Sequence, residues 1–578
     1  MPGFSGYREL DKKNITVQLM FWSVTLVMLI TRYLSFYTFK GSDDLHYAFL
    51  SSSVLNGSYD IFFANDIYAA RALVILYQSA WFKLFGINDF SMCMPSLSLL
   101  IILAYFVCFR SGLQKNWYTV VLAAALIYFN PVTVLSTSGN LPDVYIALIV
   151  ALVFFLIKKN TDCYIKNQHL LSGIYTGLLL LAGLFVKESI VLVYAGTAVL
   201  LFYYRDKISF FYVTALATTV FIGGVGYLCF YYLNTGDVFY HFVQIRNSAF
   251  FNPCRYDCLP KIYLFKRLTI TIPYNVMLTG AYPLLVLTPV LFVHKHRRDF
   301  DARFWKITLA SLLILALYFP FSVFPYVPLC HDMRQFFFLF PPAVIIYLSA
   351  LREFMLTEKH LKAMNIGGAA VFTLTTFICL YQAPYNKWGI FCNVLLALIF
   401  IFTVFVNKKA QRFLLYLAVP CILWLSTAYT VIKKPHNGYS ELKTLQNKLK
   451  QDTSFITNTS YFLNNDTKTH VAFINRFDTA KHYIVLDTVQ NGFKPFMGYQ
   501  LKNAVTRPPG FKQGWLIVSD HYVENLGNSK IAAIDHLLAE MHCGYRVNKT
   551  SAYYLTSAET MKKIMDIINI KTPGRGCN

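Results

Sequence analysis

Long apolar runs constrain this chain more than any other sequence feature. Between Thr16 and Ile432, runs of about 20 residues alternate with short clusters of Lys and Arg. A helix needs about that length to cross the hydrocarbon core of a bilayer. Hydrophobic residues make up 56% of the chain and charged residues only 14%, which excludes an ordinary soluble protein. The sequence therefore predicts a polytopic α-helical membrane protein.

The positive charge of the chain is large, and it raises the question of nucleic acid. The formal net charge is +23 at pH 7, but the Lys and Arg residues lie in clusters between apolar runs and form no continuous basic face. Clusters of this kind are typical of the loops that set membrane topology. We therefore expect membrane lipids as partners and no nucleic acid.

The basic clusters also predict the orientation of the spans. Arg8, Lys12 and Lys13 precede the first span, Thr16–Phe36, and place the N-terminus in the cytoplasm. We place the next apolar piece, Tyr68–Phe85, along the outer surface, because a crossing there would move all later basic clusters outside. The remaining spans are Ser91–Arg110, Trp117–Ser136, Leu141–Ile157, His169–Val186, Ser189–Tyr204, Ser209–Leu233, Thr271–Val293, Phe304–Phe324, Gln335–Leu351, Ile366–Tyr381, Gly389–Val406 and Phe413–Ile432. This gives about thirteen spans and an external C-terminus.

The composition changes to that of a soluble domain after Lys434. The predicted strands are His470–Phe477, His482–Val489, Gly514–Asp520 and Tyr545–Leu555, and the predicted helices are Ser440–Gln451, Lys530–Met541 and Ala558–Ile568. The sequence thus predicts a transmembrane domain over residues 1–434 and a small α/β domain over residues 435–578, on the same side as Asp43.

Two pairs of cysteines are candidates for disulfides. Cys254 and Cys258 lie in a predicted external loop, and Cys543 and Cys577 lie in the C-terminal domain. Cys330 is left without a predicted partner.

The segment after the first span carries two adjacent carboxylates and a histidine. In Gly41–Ala48, Asp43 and Asp44 are followed by His46 and Tyr47. A carboxylate there, followed by a mixed apolar and polar segment, has the form of an acid or base held over a helix that lies on the membrane. The alternative is a solvated acidic loop.

Further charged and polar residues fall at the outer ends of spans. Ionisable groups at such depths are costly, so several on one face indicate a site. Each also has a structural interpretation: Lys187 and Glu188 as an interfacial ion pair, Asp143 as a helix start, and Arg334 as a headgroup anchor. Together they favour an external site for an anionic, lipid-borne substrate, because the arginine fork binds phosphate well. The group comprises Asp43, Asp44, His46, Asp66, Arg71, Asn140, Asp143, Lys187, Glu188, Arg246, Arg255, His331, Asp332 and Arg334.

The order and spacing of these pieces between Thr16 and Leu351 resemble the GT-C class of polyprenyl-phosphate-dependent glycosyltransferases. This superfamily includes the protein O-mannosyltransferases and the lipid A aminoarabinose transferases. The matching pieces are Asp43-Asp44-Leu45-His46-Tyr47-Ala48 through Asn56-Gly57, Arg71 to Leu84-Phe85-Gly86-Ile87-Asn88-Asp89-Phe90, Phe129-Asn130-Pro131 to Leu141-Pro142-Asp143, Val186-Lys187-Glu188-Ser189, and Arg334 to Pro341-Pro342.

The resemblance implies an inverting transfer of a sugar from a polyprenyl-phosphate donor to a hydroxyl of a glycan, lipid or protein acceptor. It implies that Asp43 is the catalytic base with Asp44 beside it, and that juxtamembrane helices at about 44–86 frame the cavity. His46 stands where some relatives carry a phosphate-contacting Arg, and Arg71 matches a basic position before the Leu-Phe-Gly segment. The remaining substrate-binding candidates are Tyr47, Asp143, Lys187, Glu188, His331 and Arg334.

No cofactor is predicted. The aminoarabinose branch carries an acidic metal ligand before its basic position, whereas this chain has Ala70, so a divalent metal is not supported. The resemblance also implies a bacterial inner-membrane protein with its site and C-terminal domain in the periplasm. The alternatives are a transporter of lipid-linked glycans and a non-catalytic assembly subunit.

Overall fold

The computed structural model has an almost wholly helical part followed by a segment that contains strands. It divides into two compact units: the first comprises Met1–Ser35, Ser58–Ala80 and Cys93–Lys433, and the second comprises Phe36–Gly57, Trp81–Met92 and Lys434–Asn578. The structure describes residues 4–34, 43–62, 67–110, 116–162, 166–249, 256, 259–293, 300–320, 329–330, 332–354, 358–382, 387–432, 443–445, 447, 460–463, 471, 473–476, 482–487, 492–496, 514–519, 544–547 and 550–555.

Twenty α-helices form the described part of the chain up to residue 432. Their order is α1 Phe4–Tyr33, α2 Asp43–Leu55, α3 Ala72–Phe85, α4 Asp89–Arg110, α5 Trp117–Tyr128, α6 Pro131–Thr137, α7 Pro142–Asp162, α8 Lys166–Leu184, α9 Ile190–Tyr203, α10 Phe210–Thr235, α11 Tyr240–Ala249, α12 Lys261–Lys266, α13 Ile272–Leu278, α14 Tyr282–Val293, α15 Phe300–Tyr318, α16 Phe340–Phe354, α17 Glu358–Gln382, α18 Lys387–Phe405, α19 Lys408–Phe413 and α20 Val419–Ile432. A 3-10 helix, Met333–Leu339, leads into α16, and π-helical turns join α12 to α13 and α19 to α20.

The apolar helices make this chain an integral membrane protein. Seven helices in the described ranges are long and apolar enough to span a membrane singly, and the bent pair α5 and α6 is an eighth if it counts as one span. Further apolar helices are shorter: Ala72–Phe85, Gln168–Leu184, Ile190–Tyr203 and Leu414–Tyr429. The number thirteen therefore stays a prediction.

The segment predicted to lie on the outer surface forms a short helix. α3 has 14 residues, so it is about 21 Å long, whereas the hydrocarbon core is about 30 Å thick. α2, with 13 residues, is shorter still. Both lengths suit helices that do not cross the membrane.

Two predicted spans are wrong in detail, because each is broken. Trp117–Ser136 bends by 61° between α5 and α6. Pro131 cannot donate a backbone hydrogen bond and so starts a new helix, and the side chain of Asn130 caps it by accepting from Thr133 N. Thr271–Val293 is interrupted between α13 and α14, where Gly280 has a φ of +62°.

The predicted external loop after α10 also contains helices. α10 ends at Gly236, which has a left-handed conformation with φ of +74°. α11 and α12 follow within the segment that the sequence analysis treated as a loop. A buried histidine that the sequence analysis did not single out, His241, lies on α11.

Six described strands of the second unit form one sheet. The strands are β1 Ser460–Leu463, β2 His482–Asp487, β3 Gly492–Phe496, β4 Gly514–Ser519, β5 Gly544–Val547 and β6 Thr550–Leu555. Their order is β3-β2-β1-β4-β6-β5. β1 pairs in parallel with β2 and β4, and the other pairings are antiparallel.

Of the four predicted strands, two agree with β2 and β4, one is divided into two strands, and one is wrong. His470–Phe477 is a helical turn in its described part, because Asn475 N donates to Val471 O and Arg476 N to Phe473 O. Tyr545–Leu555 is a hairpin of β5 and β6. The predicted helix Ser440–Gln451 is helical where it is described, and Lys530–Met541 and Ala558–Ile568 lie outside the described residues.

Cys330 corrects the cysteine assignment. It is disulfide-bonded, although the sequence analysis left it unpaired. Its partner, and Cys254, Cys258, Cys543 and Cys577, lie outside the described residues. A disulfide favours an oxidising compartment for the segment after α15.

Candidate active site

A tight connection between α8 and α9 carries Lys187 and Glu188 on adjacent residues. Gly183 lets the chain fold back here, because a Cβ at this position would lie 2.3 Å from Cγ1 of Ile190. Val186 N and Lys187 N both donate to Gly183 O, at 3.0 and 3.1 Å. The side chains of Lys187 and Glu188, which are adjacent in this turn, bind different partners.

Arg71 is the partner of Glu188. It lies just before α3, and Leu73 N donates to Phe185 O at 3.1 Å, which joins the start of α3 to the turn. The Arg71 Nη2 then donates to both carboxylate oxygens of Glu188, each at 2.9 Å. The Tyr68 ring centroid lies 5.2 Å from the same guanidinium.

Lys187 pairs with Asp143. Its Nζ donates to Asp143 Oδ1 at 2.7 Å, and Arg334 Nε lies 3.4 Å from Asp143 Oδ2. Asp143 is in the first turn of α7, where the helix dipole favours a carboxylate. Asp332 caps the 3-10 helix by accepting from Arg334 N at 3.0 Å. The sequence interpretation of Lys187 and Glu188 as one ion pair is wrong, since each binds a different residue.

The cluster combines three cations with three carboxylates. Arg71 pairs with Glu188, Lys187 and Arg334 pair with Asp143, and Arg334 Nε also lies 3.7 Å from Asp332 Oδ2. Burial opposes ionisation of Glu188, but the charges of Arg71 and Lys187 outweigh it and hold its pKa below the ordinary value. An anionic ligand would therefore share these cations with the carboxylates that already bind them.

Asn140 has a structural role. Its Nδ2 donates to Val74 O and Gln78 Oε1, and its Oδ1 accepts from Tyr145. These bonds tie α3 to the start of α7, which places Arg71 and Asp143 on the same framework.

His241, on α11, is the residue that sequence reasoning missed. It is buried, and its Nδ1 hydrogen-bonds the Tyr227 hydroxyl of α10. The pKa of His241 is lowered to about 4, mainly by burial; the charge of Glu188 opposes this shift and that of Arg71 adds to it. His241 is therefore neutral near pH 7. A lone histidine carries little signal in sequence, because both its burial and its partners come from other elements.

A cavity of about 170 Å³ lies beside this histidine. Glu188, Tyr227 and His241 are its polar lining residues, and the rest of its wall is apolar. Glu188 is thus shared between Arg71 and the cavity.

The acidic pair of the first motif lies on α2, in the second unit. Asp43 and Asp44 are both in the first turn of this helix, where the dipole favours carboxylates. Asp44 is buried, as is Tyr47, whereas Asp43 and His46 are half-buried. The His46 ring centroid lies 6.3 Å from that of Phe49. Of the predicted residues, the structure brings together Arg71, Asp143, Lys187, Glu188 and Arg334 in the first unit, and Asp43, Asp44, His46 and Tyr47 on one helix of the second.

Some predicted residues are not described. His331, Asp66 and Arg255 lie outside the described residues, as does the side chain of Arg246. The described residues contain no group of three or more His, Cys, Asp or Glu that fits a metal ion, and Ala70 stands at the position of the acidic ligand. Within the described ranges, the residues do not form the ligand set that a metal of the aminoarabinose branch would need.

Comparison with solved structures identifies the fold. No protein-family model matches the sequence, and no curated protein matches it. The crystal structure of ArnT from Cupriavidus metallidurans in the apo state superposes with a TM-score of 0.60 at 13% identity, covering 94% of this chain and 98% of that one. The chain has the fold of ArnT.

A second structure of ArnT, bound to undecaprenyl phosphate, gives a TM-score of 0.55 at 12% identity with the same coverage. ArnT is a lipid A aminoarabinose transferase of the GT-C class. The resemblance drawn from the sequence motifs is therefore confirmed for the fold, over nearly the whole of both chains.

Proposed function

We propose that this chain is a membrane glycosyltransferase that transfers a sugar from a polyprenyl-phosphate donor to a hydroxyl group of an acceptor. The observation that carries the proposal is the cluster of three cations, Arg71, Lys187 and Arg334, in a fold that ArnT also has. The ArnT structure bound to undecaprenyl phosphate supports a donor of this chemical class.

In this proposal Arg71 and Arg334 hold the donor phosphate. Both carry the planar guanidinium that binds phosphate oxygens in pairs. Arg71 is buried and Arg334 is partly exposed, and contacts in such partly dehydrated places stabilise developing charge more than contacts in water do. His46 is a further candidate for the phosphate.

Asp43 is the proposed general base. Its carboxylate takes the proton of the acceptor hydroxyl while that oxygen attacks the anomeric carbon of the donor sugar. The bond from the anomeric carbon to the phosphate oxygen breaks, and polyprenyl phosphate leaves with the electron pair. Attack from the side opposite the leaving group inverts the anomeric centre. Asp44, beside Asp43, is the second catalytic candidate, and Tyr47 and His331 are further substrate-binding candidates.

The finer organisation belongs to the same proposal. About thirteen spans would place α2 and α3, and an α/β domain at residues 435–578, on the external face of a bacterial inner membrane. The acceptor would then be a glycan, lipid or protein of the periplasm.

Release of polyprenyl phosphate tests the function. The full chain in nanodiscs would receive undecaprenyl phosphate carrying a labelled pentose or hexose, together with lipid and glycan acceptors. We expect transfer of label to an acceptor, with loss of transfer in Asp43→Asn. Movement of intact donor between leaflets without cleavage would instead support a transporter, and binding without either outcome would support an assembly subunit.

A further inference from the structure

The cavity beside Glu188 has a mixed wall that suits one kind of occupant. Leu184, Phe242 and Phe319 contribute to its apolar side, and Glu188 and His241 to its polar side. Its volume of about 170 Å³ is close to the roughly 150 Å³ of a cavity that holds benzene, so a single six-membered ring fits.

One ring nitrogen of His241 is buried without a hydrogen-bond partner among the described residues. The residue is only 4% exposed, and its Nε2 has no hydrogen-bond partner among the residues that the structure describes. Its Nδ1 is occupied by the Tyr227 hydroxyl. A buried polar atom without a partner is costly, so a ligand that bonds Nε2 would remove that cost.

Two parts of the proposed donor are poor occupants. An isoprenoid tail would match Leu184 and Phe242 but would leave the Glu188 carboxylate and His241 Nε2 against hydrocarbon. A phosphate would lie against the negative charge of Glu188. A sugar ring avoids both problems, because its C–H faces are apolar and its edge carries hydroxyls.

The position of Glu188 relates the cavity to Arg71. The same carboxylate binds Arg71 at 2.9 Å and lines the cavity. A phosphate on Arg71 and a ring in the cavity would therefore be separated by one side chain, which suits a sugar joined to phosphate through a single oxygen.

We propose that this cavity is the subsite for the sugar ring of the donor, with His241 and Glu188 as the residues that hydrogen-bond its hydroxyls. The inference rests on the proposed glycosyl transfer. It assigns the two polar parts of the donor to different residues: His241 binds the sugar, and Arg71 binds the phosphate. Because the imidazole is neutral, its Nε2 donates when the Tyr227 hydroxyl donates to Nδ1, and accepts in the opposite arrangement.

The separate roles of His241 and Arg71 can be tested by comparing the binding of sugar-bearing lipid with that of the bare lipid phosphate. The full-length wild type and His241→Ala in nanodiscs would be titrated with undecaprenyl phosphate and with a panel of undecaprenyl-phosphate pentoses and hexoses. We expect at least one sugar-bearing lipid to bind wild type more tightly than the bare lipid. His241→Ala should lower that advantage about tenfold, as expected for a lost hydrogen bond, and change the affinity for the bare lipid less than about threefold.

His169→Ala is the matched control. His169 is also a buried histidine with one side-chain partner, Asn160, and it does not line the cavity. It should leave both affinities unchanged. His241→Gln is a second variant in case alanine impairs folding, and Glu188→Gln should also lower the advantage of the sugar-bearing lipid.

The outcomes separate the two proposals. If His241→Ala or His241→Gln weakens bare and sugar-bearing lipid equally, or changes neither, the sugar subsite is wrong while the glycosyltransferase proposal stands. If wild type binds the bare lipid but gains nothing from any sugar, the subsite is also wrong. If wild type binds none of these lipids, both proposals fail.

Discussion

Glu188 accepts hydrogen bonds from the Arg71 guanidinium through both carboxylate oxygens, each at 2.9 Å. Both residues precede a helix, and Arg71 is 117 residues upstream of Glu188. This pair sets the electrostatic state of the proposed donor site, because an incoming phosphate must share the guanidinium with an ionised carboxylate.

Arg71 should not tolerate replacement by lysine if it binds phosphate. Arg71→Lys keeps the charge but loses the planar fork, so donor affinity should fall about tenfold, and Arg71→Ala should lower it further. Binding of undecaprenyl phosphate to matched amounts of folded protein measures this. If Arg71→Lys binds as wild type does, the charge alone matters. If Arg71→Ala does so, Arg71 is an anchor and Arg334 becomes the phosphate candidate.

Asp43 should show the clearest loss of chemistry. Asp43→Asn should keep donor binding while turnover falls about a hundredfold or more, in line with the usual contribution of a general base. Single-turnover transfer with a labelled donor provides the measurement. Asp44→Asn is the control on the same helical turn, and the two roles should be exchanged if it proves the more damaging change.

Asp143 should be needed for stability because both Lys187 and Arg334 pair with it. Asp143→Asn leaves the buried ammonium of Lys187 without a counter-charge, and we expect a loss of about 3 kcal/mol in the free energy of unfolding. Unfolding in mixed micelles would measure the loss. Asp332→Asn should cost less than about 1 kcal/mol, because Asp332 is half exposed and Asn retains the cap. Equal losses in the two variants would contradict the buried ion pair.

His241 should make stability depend on pH. Its folded pKa is about 4, below the ordinary value near 6.5. Between these values the unfolded chain binds a proton at this residue and the folded chain does not, so its stabilising contribution is full above pH 6.5 and falls as the pH drops toward 4. From pH 7 to pH 5 wild type should lose on the order of 2 kcal/mol more than His241→Gln.

Other charged and aromatic groups lie near His241, so the pH dependence of stability must be compared between wild type and His241→Gln. Glu188 and Arg71 act on it by charge, and Tyr227, Tyr231 and Phe242 surround its ring. The pKa of Glu188 is already below its ordinary value, so its pairing with Arg71 is lost only at lower pH. Parallel pH curves for wild type and His241→Gln would show that the imidazole is not held neutral.

Membrane topology can be tested at two points. A reporter fused after Asn578 should behave as periplasmic, and one placed near Lys158 as cytoplasmic, because the basic clusters predict that the segment around α3 lies on the outer surface. Opposite signals at both points would show that the segment around α3 crosses the membrane and that the charged cluster faces the cytoplasm.

Sequence reasoning identified most members of the ion network but not its pairing. The sequence predicted Lys187, Glu188 and Arg334 as substrate-binding residues, with an ion pair between Lys187 and Glu188 as the structural alternative, but each of these two pairs with a residue of another element. Arg334, whose structural alternative was a headgroup anchor, lies 3.4 Å from Asp143. Pairings of this kind depend on how helices pack, and one sequence contains no direct record of packing.

The fold class could be predicted because the features that determine it are visible locally in the sequence. Apolar runs gave the membrane class, and the ordered motifs gave the resemblance to GT-C enzymes. The break at Pro131 was missed because the apolar run continues through it, and His241 was missed because its environment is made by α10 and the turn after α8. Short strands such as β1 and β3 were missed because four or five residues carry little periodic signal.

The bend between α5 and α6 is held by the chain's own side chains. Asn130 Nδ2 donates to Leu126 O and Ile127 O, and the Thr133 hydroxyl donates to Ile127 O as well. The backbone carbonyls before the bend therefore have hydrogen-bond partners within it, so the bend is a rigid corner that fixes the direction in which α6 leaves α5.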